Sequence, residues 1–186
     1  MTQSFDPSPQ PPTQAPIPDD RSIALQRMQA AVAELTRRMK SGASNFYWIA
    51  ALSVINSLIL GFGGNSYFVV GLASTLLVDS IFVEVTGSMA DGAIIIKLIG
   101  LAISIFIAAI FVLFGFFANK GKRWAFIVGM VLYGLDSLLM LAFQEWMGLI
   151  FHGFFLFGLF GGIRALGELQ KLMPQRQTDF PQNIGI

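Results

Sequence analysis

The chain has 186 residues, 54% of them apolar and only 12% charged, about half the roughly 25% charged share of soluble domains, so a water-soluble fold of this size could not cover its surface. Twelve basic and eleven acidic side chains leave a net charge of +1, which excludes the broad positive face that a nucleic-acid partner requires. Cysteine is absent, which removes disulfides, thiolate metal sites and cysteine nucleophiles.

In chain order, the first 18 residues hold six of the eight prolines, interleaved with Gln, Ser and Thr. That composition permits polyproline II and supplies nothing to pack, so 1–18 reads as a disordered tail. No basic residue or apolar core occurs between Met1 and Asp20, which speaks against a cleaved signal peptide. From 19 to 40, Leu25, Met28, Val32, Leu35 and Met39 recur at helical spacing, with Arg21, Arg27, Arg37, Arg38 and Lys40 largely off that face. The pattern predicts a basic amphipathic helix on the cytoplasmic side, either lying on anionic lipid headgroups or pairing with a second copy through two heptads. Ser41 and Gly42 are expected to form a hinge closing this 19–42 unit.

Five apolar segments follow, at about 46–63, 67–83, 93–118, 124–143 and 147–163. Between Lys40 and Asp79 lie 38 residues without a formal charge, and between Lys97 and Lys120 another 22, against the about 20 that cross a hydrocarbon core. If all five segments crossed, the basic residues near their ends would divide five to six between the two sides. If the second dips in and returns, all eleven share one side, and Lys97 sits near the outer end of a span, from which its stem snorkels. The positive-inside rule selects the second arrangement. Asp79 and Glu84 agree, because drawing an unpaired acid to the centre of a span costs roughly 2.5–3.5 kcal/mol.

The predicted fold is therefore all-α: a polytopic membrane bundle over 43–167 with four spans, a re-entrant or interfacial segment at 67–83, and both termini, including a 168–186 tail, in the cytoplasm. Gly61, Gly63, Gly64 and Asn65 make the turn into the re-entrant segment, and Gly87, Asp91 and Gly92 the turn out. Tyr47, Trp48 and Trp124 mark the inner interface, Tyr67 and Trp146 the outer one. Small residues at intervals of four mark contact faces: Ser53, Ser57 and Gly61; Gly100, Ser104 and Ala108; Gly158 and Gly162. Such faces serve packing within one bundle or an oligomer interface.

The informative polar residue is Asp136, eight positions before Gln144 and hence about 12 Å inside its span. The only histidine, His152, follows at the mirror position about Gln144, so an antiparallel hairpin places acid and imidazole in one layer. Lys97, Asn56 and Asp79 are candidates for the same outer half of the bundle, and Tyr133, mid-span, is expected to need a hydrogen-bond partner. The layer reads structurally as a clasp fixing the hairpin register, or functionally as a proton or cation site. One histidine with scattered carboxylates does not make a metal site. No nucleophile elbow, no His-Glu-x-x-His and no opposed second acid is present, so neither catalytic residues nor a cofactor are expected.

The runs Phe46-Tyr47-Trp48-Ile49-Ala50, Arg123-Trp124-Ala125-Phe126, Tyr133-Gly134-Leu135-Asp136, Phe151-His152 and Gly162-Ile163-Arg164-Ala165-Leu166 resemble a pattern in small bacterial integral-membrane proteins of no assigned activity. The resemblance implies a multi-pass helical bundle in a bacterial inner membrane and no site residues. The role expected is a non-enzymatic scaffold or assembly factor, oligomeric and presenting its tail and the 19–40 helix to lipid or a protein partner. The alternative is a small oligomeric transporter or channel component coupled to protons or cations at the Asp136–His152 layer.

Overall fold

The computed structural model describes residues 19–62, 71–87 and 93–179. Its five helices are α1 (Asp20–Gly61), α2 (Ala73–Gly87), α3 (Ala93–Asn119), α4 (Arg123–Ala142) and α5 (Trp146–Asp179), with no strand among the described residues. The tail 1–18, the turn residues Gly63, Gly64, Asn65, Asp91 and Gly92, the aromatic Tyr67 and the C-terminal 180–186 lie outside the described residues. Four helices are long and apolar enough to cross a membrane, α1, α3, α4 and α5. The fifth, α2, has 15 residues, about 22 Å of helix, too short for a hydrocarbon core of about 30 Å.

Helix α1 starts where the Asp19 carboxylate accepts the Ser22 amide at 2.6 Å, a side-chain N-cap. It then runs for 42 residues without a break, so the expected hinge at Ser41 and Gly42 is replaced by continuous helix. Gly42 serves a contact instead. A Cβ there would collide with the backbone of Gly162 in α5, and one on Gly162 would stand 2.9 Å from Gly42 Cα, so the paired glycines let two helix backbones touch. The apolar stripe of the 19–40 segment is also taken up: Met39 is buried, and Val32 and Leu35 pack on a core that includes Leu166 and Leu169 of α5. The helix that carries the last predicted span does not stop near 163; α5 continues to Asp179 and covers much of the face that the sequence offers to lipid or a second copy.

Two tight hairpins order α3, α4 and α5. After α3 the Lys122 amide donates to Phe117 O and the Gly121 amide to Ala118 O, and after α4 Glu145 donates to Met140 O and Gln144 to Leu141 O. Both are Schellman closures, with the left-handed position filled by Gly121 (φ 73°) and Gln144 (φ 57°). Gln144 is the residue about which Asp136 and His152 are symmetric. Gly121 lies beside Met39 of α1 and Leu166 of α5, so the basic residues of the first half of α1, of the 119–123 corner and of the last part of α5 collect at one end of the bundle.

The core is aromatic and centred on Phe46, whose ring lies 6.1–6.4 Å from those of Phe111, Phe114 and Phe126. Ser53, Asn56, Asp136 and His152 are buried, whereas Phe106, Phe154 and Phe157 are exposed. Polar inside and apolar outside is compatible with lipid as the solvent.

At the basic end Arg37 and Arg38 both bond the Glu34 carboxylate and hold its pKa down to about 2. A depressed carboxyl stabilises the fold above its unfolded value and stops doing so as pH falls through its folded one. A carbon-13 titration should find Glu34 still ionised at pH 3. Gly162→Leu should destabilise the bundle by about 1–3 kcal/mol through forced separation of α1 and α5, seen as a lowered unfolding midpoint in detergent, while Gly161→Leu, with nothing within 4 Å of its Cβ position, should leave that midpoint unchanged.

Candidate functional site

A helix that begins inside a bundle leaves its first amide groups without intrahelical acceptors, and α2 is such a helix. Gly71, just before it, lies against Ser53 and Asn56 of α1, well back from the end of α1 at Gly61. Its φ of 148° is in the glycine-favouring region and lets the chain reverse into the helix. The Leu72 amide donates to Ser53 Oγ at 2.7 Å. The Ala73 and Ser74 amides donate to Asp136 Oδ2 and Oδ1 at 2.7 and 2.9 Å. Asp136 of α4 thus caps α2 across a separation of more than 60 residues, with its carboxyl group at the positive end of the α2 dipole.

The same carboxylate meets His152. Its Oδ2 is 3.1 Å from Nε2, and Nδ1 lies 2.9 Å from Gly148 O. A carbonyl only accepts, so Nδ1 carries a hydrogen. The contact between Nε2 and Oδ2 then needs one further proton, held on either partner, and in both arrangements the pair is neutral as a whole. Tyr133 stacks on the imidazole with centroids 4.5 Å apart and planes at 12°. The hydrogen bond expected of Tyr133 is not made: its hydroxyl is buried and without a partner among the described residues, and the residue contributes ring surface to the histidine.

Asp79 lies elsewhere. Six residues along α2 from Ala73, it is about 9 Å further toward the opposite end, where Ser104 Oγ of α3 donates to its Oδ1 at 2.8 Å. Ser57 of α1 faces the second oxygen without closing a bond of good geometry. These two and Lys97 line a cavity of about 10 Å³, the space of one water. The single outer layer expected from the sequence is therefore two centres stacked along α2. Asp136 and His152 share the lower one, where Asn56 is also buried, and Asp79 and Lys97 share the upper one.

The small residues Ser53, Ser57 and Ser104 read from the sequence as packing positions; here the Ser53 hydroxyl accepts the Leu72 amide and Ser104 donates to Asp79, while Ser57 lines the cavity beside Asp79. Gly100 does serve packing, since a Cβ there would stand 2.6 Å from the Phe82 ring. The amides of 72–74 were invisible as partners because a backbone group leaves no mark in composition. The signal for them was a buried acid in search of donors beside a short helix that does not cross.

A groove of about 380 Å³ runs from Glu145, at the α4–α5 hairpin, between α2 and α4 down to Ala73, whose amide is held by Asp136. No group of three or more metal-ligating side chains occurs among the described residues. No known protein family, curated protein or solved structure matches the chain.

Asp136→Asn keeps the shape and removes the charge. Because hydrogen bonds to charged groups are worth about 1.5–3 kcal/mol, amide exchange at Ala73 and Ser74 should accelerate by about tenfold or more at constant pH, with exchange in the middle of α3 unchanged, as read by hydrogen–deuterium exchange mass spectrometry.

Proposed function

We propose that the chain is a multi-pass membrane protein that binds a proton at the Asp136–His152 centre, as one subunit of a small proton- or cation-coupled transporter or channel. The supporting observation is that one carboxylate holds both the start of α2 and the histidine, and that Ala73, whose amide it receives, lines a groove reaching to Glu145 at the α4–α5 hairpin. With one proton already between Oδ2 and Nε2, a second turns the carboxylate into a neutral acid beside an imidazolium. A neutral acid is a weaker acceptor than a carboxylate, so the grip on the Ala73 and Ser74 amides loosens. Proton binding is thereby coupled to the seating of α2, and acidification on the groove side favours its release. Four spans enclose little room for a solute, so the path lies between copies of the chain.

By the positive-inside rule the basic end is cytoplasmic with both termini, and the groove faces outward. The resemblance to small bacterial proteins supports reading this bilayer as an inner membrane. A scaffold role is the second reading. It is favoured by the helix pair that α1 and α5 extend beyond the aromatic core at the basic end, a stalk suited to holding a protein partner.

In proteoliposomes loaded with a pH-sensitive dye, the native protein should carry protons down an imposed gradient, and Asp136→Asn should reduce that flux to the empty-vesicle rate with the helical content unchanged. No flux from correctly folded native protein would overturn the proposal. Removing residues 1–40 separates the readings, since loss of association with intact flux assigns the stalk to partner binding. Lys122→Cys should react with membrane-impermeant maleimide only from the cytoplasmic side.

A further inference from the structure

The bundle has a second large concavity, at the basic end, of about 560 Å³ between α1 and α5. Glycine makes it. Gly158, Gly161 and Gly162 form its α5 wall, and the space over Gly161 is open. Arg37 and Arg38 rise from the α1 side and Arg164 from α5, against one lining acid, Glu168. Glu34 orients Arg37 and Arg38 through three hydrogen bonds, which leaves further guanidinium N–H groups on each for a ligand. Arg164 has no acidic partner within ion-pair distance among the described residues. Three arginines around a pocket floored by glycine match a phosphate group in charge and donor geometry.

The level of the groove narrows the ligand. Asn45 and Ser41 line it, immediately before the aromatic residues Tyr47 and Trp48, and Trp48 and Trp124 are half or more exposed. Exposed tryptophans settle at the headgroup region, and the groove lies on the solvent side of Trp48: Gly158 and Gly162 are level with Asn45 and Gly42, and Arg38 lies about 15 Å of helix beyond Trp48. We propose that this groove is a binding site for the phosphodiester headgroup of an anionic phospholipid, reached by the arginines from the solvent side of the interface. The site differs from a helix lying flat on the bilayer, because the apolar stripe of α1 is already covered by α5 and the lipid is gripped between two helices. It rests on the membrane placement proposed above and is independent of proton binding at Asp136.

The test uses the full chain extracted into mild detergent from vesicles of equal phosphatidylglycerol and phosphatidylcholine, with retained lipid counted by native mass spectrometry. Phosphatidylglycerol should be retained over phosphatidylcholine. Arg164→Gln should lower its retention by about tenfold, the loss of one charge-assisted contact. Gly161→Leu, which fills the groove and keeps every charge, should do the same with an unchanged unfolding midpoint. Equal retention of both lipids, or a Gly161→Leu variant that holds phosphatidylglycerol as the native chain does, would overturn the site. Displacement of the lipid by millimolar inorganic phosphate would reassign the groove to a free anion and overturn the lipid assignment. Lipid retention and proton flux are read separately, so either proposal fails alone.

Discussion

A helix that starts inside an apolar bundle must find acceptors for its first amides, and the polar residues at the start of α2 answer to that requirement. Water satisfies such groups at the surface of a soluble protein; among packed apolar helices only side chains can. Ser53 and Asp136 do so here. Once Asp136 is committed to α2, its position fixes where the imidazole of the next helix must lie, and His152 in turn is held by Gly148 O and the Tyr133 ring. The clasp and proton-site readings thus describe one arrangement. The proposed proton coupling draws on a bond network that seats a helix through a titratable group.

The two centres have different degrees of closure. At Asp136 both carboxylate oxygens are engaged, whereas at Asp79 one oxygen and the Ser57 hydroxyl face a cavity the size of a water. Unsatisfied buried polar atoms are uncommon in native folds, and the cavity beside Asp79 and Ser57 has the volume of one water. The two centres therefore differ in how fully the carboxylate is engaged, along a single short helix.

What could be read from the sequence was set by periodicity and charge. Uncharged runs mark the four long apolar helices, and the bias of arginine and lysine predicts a segment after α1 that does not cross, with which an α2 of 15 residues is compatible. The symmetry of Asp136 and His152 about Gln144 gave their pairing before any coordinates. Other features resisted because they depend on what lies opposite. Gly42 after Ser41 reads as a hinge in isolation, and only the facing Gly162 turns it into a close contact. The stripe from Val32 to Met39 looks available until α5 is seen to run past its span. Serines 53, 57 and 104 were assigned to the right faces with the wrong purpose, since small size and a hydroxyl are equally good reasons for a serine to sit there.

The long separation between α2 and its cap has a consequence for biogenesis. The Ala73 amide is synthesised 63 residues before the carboxylate that receives it, so α2 leaves the ribosome while α4 is still unmade. During that interval its first amides lack the acceptor that receives them in the folded chain. The seating of α2 is therefore completed only after α4 has been made.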